Sequence, residues 1–255
     1  MAGPGVTIVC ALAGLAVGWF VLVRIIEALP EPSPLATWQR VAVTVVNGAL
    51  WGFVGARFEA APSVHTLDAV EADGRTIVLT AGDALPHGWG FVVPTLLLVA
   101  VLVTVSAIDM RVYRIPDKVV FPALALALPA IAIGSVQALG RTDGIDHARN
   151  AVIGMVVYFV ILFVPHFIYP RGMGFGDVKL GLLMGLYLGW YAASGFDILY
   201  LVLLAIMLGC IIGVVIGVVV NIVRRKGGVF PFGPALAMGT LFVVLTFDRY
   251  LTGLT

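Results

Sequence analysis

Polar residues along this chain fall in clusters, and between the clusters lie apolar runs of roughly bilayer-crossing length. The runs cover approximately residues 6–26, 41–56, 89–108, 119–138, 151–169, 178–194, 198–223 and 232–247. A membrane-crossing helix needs about 20 mainly apolar residues. The pattern therefore predicts an all-α polytopic membrane protein of about eight transmembrane helices, with the second, sixth and eighth short. No basic segment precedes the first run, so it reads as a retained helix rather than a cleaved signal. The longest polar stretch, Glu59–Gly88, holds the strand-like run Thr76–Thr80 between Gly74 and Gly82, which suits a small hairpin in a connector. Gly140–Asn150 reads as an exposed turn region, with Asp143 and Asp146 solvated. Pro30, Pro32 and Pro34 stiffen the connector after the first run. No internal repeat is visible, so the chain is expected to be one unit. Its parts are N-terminal helices over 1–57, an outside loop over 58–88 and a helical core over 89–255.

Composition supports the membrane reading. The chain is 61% hydrophobic and only 11% charged, with a mean hydropathy of +1.08. Soluble domains are about half apolar and a quarter charged; here too little polar surface exists to face water. The net charge of +1 comes without a basic stripe that could track phosphates, which excludes a nucleic-acid partner. Cys10 and Cys210 lie in separate apolar runs and read as small buried hydrophobes rather than a disulfide or zinc pair. His65, His87 and His147 are scattered over connectors, and His166 reads as a packed residue late in the fifth run. Neither a metal nor another cofactor is expected.

Charge gives direction. Arg24, Arg40, Arg111, Arg114, Lys118, Arg171, Lys179, Arg224, Arg225 and Lys226 fall at one set of helix ends. Arg57, Arg75, Arg141, Arg149 and Arg249 fall at the other. Basic connectors stay in the cytoplasm, which predicts both termini outside and the segments 109–118 and 171–179 at the cytoplasmic face.

Those two segments carry the candidate chemistry. An ionisable side chain at membrane depth costs about 2.5–3.5 kcal/mol on insertion scales. Asp109 directly follows the apolar run Leu96–Ile108, and Asp177 directly precedes the run that starts at Val178. One helix descends to the cytoplasm and the other rises from it, so both carboxylates can meet at one depth. Two carboxylates brought together share a proton: the neutral one donates to a peptide carbonyl while the charged one takes a proton from water. Gly172, Gly174 and Gly176 permit positive φ and leave backbone bare beside a peptide. Irregular backbone at this depth is tolerated only against protein or a water-filled cavity. Each residue also has a plainer reading. Asp109 suits an ion pair with Arg111 or Arg114, and Asp177 suits an N-cap of the sixth helix. Asp117, after Pro116, suits an N-cap of the fourth.

The stretch from Ile108-Asp109 through Arg114-Ile115-Pro116-Asp117 resembles the type IV prepilin peptidase family of G-x-G-D aspartic proteases. So do Gly174-Phe175-Gly176-Asp177-Val178-Lys179-Leu180 and Pro231-Phe232-Gly233-Pro234, and, more loosely, Gly18–Arg24 through Pro30. The likeness covers about Val92–Gly239. It implies a membrane endopeptidase that cuts the leader from type IV pilin-like precursors at the cytoplasmic face, in the inner membrane. Asp109 and Asp177 match the catalytic aspartates. Gly174, Gly176, Lys179, Pro231 and Gly233 fall where the substrate would bind or the site be shaped. Lys179 reads equally as a snorkelling anchor, and Pro231–Pro234 as a rigid turn opening the eighth helix. The implied partners are precursors with a basic leader and a hydrophobic helix, together with the lipid bilayer; self-association into a homo-oligomer stays open. Many family members also carry paired CxxC motifs after the first helix and N-methylate the product. Residues 27–40 contain no cysteine, so methylation is doubtful and a peptidase-only form is expected.

Two readings from other classes remain. A proton-coupled transporter with paired acids predicts acids near the bilayer midplane and repeated halves; here both aspartates sit at helix ends. An inactive scaffold of a pilus or secretion machine predicts loss of an aspartate, and both are present. Cleavage within a helix, as in presenilin-like proteases, fits the Ile-Pro-Asp and Pro-Phe-Gly-Pro contexts less well. Gly181, Gly185 and Gly189 give the sixth helix a small-residue face for close helix packing.

Overall fold

Each of the eight apolar runs forms a helix in the computed structural model, which describes residues 5–29, 34–60, 70–72, 75–77, 89–139, 141–170, 173–224 and 231–246. The rods are α1 (Gly5–Glu27), α2 (Thr37–Ala60), α3 (Trp89–Val112), α4 (Asp117–Leu139), α5 (Arg141–Ile168), α6 (Phe175–Tyr191), α7 (Gly195–Arg224) and α8 (Gly233–Thr246). Five of them, α1, α3, α4, α5 and α7, are long and apolar enough to cross a membrane by length and composition. Lipid offers no partners for backbone N–H and C=O groups, so a chain this apolar satisfies them within helices. The protein is an α-helical, polytopic membrane protein. Within the long connector, β1 (Val70–Ala72) pairs antiparallel with β2 (Arg75–Ile77); residues 78–80 of the expected strand, like Gly172, His65 and His87, lie outside the described residues.

Two helices carry the core. Along α3, Phe91, Leu98, Val99, Leu102 and Val105 are fully enclosed, and α6 buries nearly every residue from Asp177 to Tyr191. The small-residue face of α6 is what allows this. A Cβ at Gly185 would run into the carbonyl of Gly154 on α5, and one at Gly189 into that of Asn150. Gly181 meets the Tyr158 ring, where an added Cβ would sit 2.8 Å away. The backbones of α5 and α6 thus touch at Gly185 and Gly189.

At one end of the bundle a polar and aromatic cluster locks this contact. Phe91 stacks on Trp190 with centroids 4.2 Å apart. Trp190 Nε1 donates to Ser135 Oγ at 2.6 Å, and Tyr187 Oη donates to the carbonyl of Pro94 at 2.7 Å. The segment 140–150 belongs to this lock. Rather than an exposed turn, residues 141–150 open α5. The last carbonyls of α6 lack helical partners, and the polar residues of α5 supply them: His147 Nδ1 lies 2.8 Å from the carbonyl oxygen of Trp190, and Asn150 Nδ2 donates to that of Ala192 at 3.1 Å. Asp146 does remain at the surface, paired with Arg149 at 3.1 Å.

Candidate active site

At the opposite end, α3 finishes and α6 begins side by side. Asp109 lies three residues before the end of α3, and Asp177 is the third residue of α6. Their exposures are 5% and 8%; an acid this enclosed is exceptional unless it is held or used. Both carboxylates line one cavity of about 630 Å³, and Asp177 lies within electrostatic reach of Asp109. Loop residues Tyr113, Met173, Gly174, Pro231 and Phe232 form part of the lining. The remaining walls come from α5 and α7, with Ile161, Leu162 and Pro165 on one side and Ile206 and Cys210 on the other.

Asp109 is held by the start of α8. The N–H of Gly233, one of the donors that a helix N-terminus leaves free, donates to Asp109 Oδ2 at 3.2 Å. Only glycine allows that approach, because a Cβ on residue 233 would lie 2.9 Å from the same oxygen. The glycines before Asp177 act differently. Gly176 is helical, and a Cβ there would meet Ile115 Cβ at 2.9 Å. Gly174 has φ −67° and ψ 138°, ordinary extended backbone, so the expectation of a positive φ fails at this position. Its use is openness: a Cβ there would be in ordinary contact with Asp177 Oδ2 at 3.5 Å, and the residue is exposed on the cavity wall.

Ile115 joins the two halves. It packs on Gly176, next to Asp177, and its Cδ1 lies 3.1 Å from where a Cβ of Gly233 would be. The chain reaches this position through Tyr113, which has φ 55°, a left-handed conformation uncommon for a bulky residue. The N–H of Tyr113 donates to the carbonyl of Asp109 at 2.9 Å, ending α3. One side chain in the α3–α4 turn therefore touches both α6, which carries Asp177, and the start of α8, which binds Asp109.

The other candidates spread around this centre. Pro231 lines the cavity. Lys179 points away from it: Nζ binds Asp117 Oδ1 at 2.6 Å and lies 5.0 Å from the centroid of Phe175. Asp117 opens α4, and its carboxylate is engaged by this lysine across helices. His166 Nδ1 lies 2.9 Å from the carbonyl oxygen of Met173, tying the end of α5 to the segment before α6. Tyr113 was not singled out in the sequence, Ile115 stood out only within Arg114–Asp117, and Cys210 only as a buried hydrophobe. Cys210, expected to be buried, is exposed, because α7 is apolar all round and hides which face lies open.

Residues 96–218, which hold both aspartates, match the type IV leader peptidase family. Over this stretch the chain is similar to that family. Among curated relatives, the prepilin leader peptidase/N-methyltransferase of Aeromonas hydrophila is 33% identical over 113 residues, 42% of this chain and 36% of that protein. The protein of the same name from Burkholderia pseudomallei (strain 1026b) is 32% identical over 144 residues, 54% of this chain and 40% of that protein. That from Escherichia coli (strain K12) is 28% identical, covering 55% of this chain and 57% of its own. The type IV leader peptidase likeness thus spans well under two thirds of the relatives' length. No solved structure matches the chain.

Proposed function

We propose that this protein is an aspartic endopeptidase of the inner membrane that removes the leader from type IV pilin-like precursors. One observation carries the proposal: buried Asp109 and Asp177, from two different helices, line a single cavity. With one carboxylate ionised and the other protonated, the first takes a proton from the attacking water and the second donates to the scissile carbonyl. Gly174 leaves room for a substrate strand beside Asp177, and Gly233 fixes the rotamer of Asp109. Ile115 holds the two sides in register. The excess of Lys and Arg in the connectors at this end supports a cytoplasmic cavity and both termini outside. The substrate is then a precursor with a basic leader ahead of a hydrophobic helix. The proposed reaction is proteolysis alone, since both cysteines lie within membrane helices and none in residues 27–40.

Cleavage of a co-expressed pilin-like precursor from the same genome tests this. Wild type should cut, whereas Asp109→Asn and Asp177→Asn should accumulate in the membrane and leave the precursor intact. Cutting at the wild-type rate by either variant would remove that aspartate from the chemistry. Proton-coupled substrate uptake by wild type, with no cleavage, would favour a transporter.

A further inference from the structure

The walls of the cavity change character with depth. Around the carboxylates they are loop residues, among them Tyr113, Met173, Gly174 and Pro231. Deeper in the bundle, between α5 and α7, they are Ile161 and Leu162 facing Ile206. At the level of the carboxylates the two walls end in exposed residues, Pro165 on α5 and Cys210 on α7. That level is fixed from α8: Gly209 and Gly213 of α7 pack against Leu236 and Phe232, which bracket the glycine bound to Asp109. Ile206 and Ile161 each lie four residues deeper, about 6 Å along a helix axis. Outside the seam both helices turn apolar side chains outward, among them Val164 and Phe167 on α5 and Met207 and Ile211 on α7.

Pro165 adds a chemical feature. Lacking an N–H, it removes the usual helical donor to the carbonyl of Ile161, and both residues line the cavity. An unpaired backbone group is costly there, unless a visitor supplies an N–H. The first turn of any incoming helix carries free N–H groups.

We infer that the α5–α7 seam is the lateral entry of this site, and that it seats the first turn or so of the precursor's hydrophobic helix. The inference rests on the peptidase reading. The occupant is a transmembrane helix preceded by a polar leader. Its polar part meets the loop-lined end, its scissile bond lies at Asp109 and Asp177, and its apolar start lies between Ile161 and Ile206, with free N–H groups facing the Ile161 carbonyl. The seam is too narrow in chemistry for a polar strand, and its apolar rims continue straight into lipid.

Cys210 allows a direct test, because the other cysteine, Cys10, is buried in α1. The full-length Asp177→Asn protein, in membranes, is mixed with precursors bearing single cysteines and treated with a short bismaleimide. Cysteines within about five residues after the scissile bond, roughly the first helical turn, should link to Cys210. They should not link to Ile133→Cys on α4 in a Cys210→Ser background. In parallel, Cys210→Trp should slow cleavage by about a hundredfold, the scale of a 1 Å misplacement of substrate, while Ile133→Trp cuts normally. If wild type cuts but no position links to Cys210, or Cys210→Trp cuts at full rate, the seam is not the entry and the peptidase reading stands. Linking without cleavage by wild type would keep the docking seam and end the peptidase reading. Neither linking nor cutting would overturn both.

Discussion

Replacing Gly233 with alanine isolates the contact that orients Asp109. The added Cβ would lie 2.9 Å from Asp109 Oδ2 and 3.1 Å from Ile115 Cδ1. The first distance is shorter than a carbon and an oxygen tolerate, so the carboxylate must rotate or α8 must retreat. Either movement breaks the 3.2 Å bond from the Gly233 N–H. A hydrogen bond to a charged group is worth about 1.5–3 kcal/mol, and each 1.36 kcal/mol withheld from the transition state is about tenfold in rate. The expected outcome is a fall of roughly ten- to hundredfold in precursor cleavage. Folding should survive, because alanine favours helix over glycine by about 1 kcal/mol. The assay is a time course of precursor conversion in membranes, normalised to the amount of enzyme. Gly217→Ala is the control, since nothing lies within 4 Å of a Cβ at that position, and it should cut like wild type. Wild-type cleavage by Gly233→Ala would show that Asp109 needs no positioning from α8.

Two further outcomes follow from contacts already described. Lys179→Ala removes a partly exposed ion pair with Asp117, a class worth about 0–1 kcal/mol, and should change cleavage by less than about tenfold. A loss as complete as that of Asp177→Asn would instead place Lys179 in the chemistry. Gly185→Ala forces a Cβ against the backbone of Gly154 and to within 2.5 Å of Tyr158 Cβ. Overpacking of this kind costs about 1–3 kcal/mol, so the variant should melt earlier in detergent and accumulate less. An unchanged melting profile would mean that α5 and α6 do not touch as closely as described.

The helices were legible because lipid leaves a chain so few alternatives: apolar runs of adequate length must hydrogen-bond within themselves. The carboxylates were legible because charge beside such runs is costly, and both fell at helix ends. What stayed hidden depended on which neighbour a residue meets. Residues 140–150 look like solvent-facing chain, yet His147 and Asn150 reach the unpaired carbonyls at the end of α6. Polarity alone does not distinguish water from a helix terminus. Cys210 sits in a helix apolar on every side, which conceals its open face. Ile115 looks like any hydrophobe, and its place between Gly176 and Gly233 exists only once α4, α6 and α8 have met. The glycine spacing before Asp177 suggested a left-handed backbone, yet Gly174 is extended and a Cβ there would meet Asp177 Oδ2 only in ordinary contact.

The enclosure of α6 has a consequence for the living membrane. Its 17 residues extend about 25 Å at the helical rise, short of a hydrocarbon core of about 30 Å, and almost none of that length meets lipid. Stretching or thinning of the bilayer acts on helices that must match its thickness, and here those are the outer rods. Asp177 therefore rides on a strut insulated from the bilayer's mechanics. Growth temperature or lipid composition would retune how a guest helix approaches from the side while leaving the carboxylates where they are.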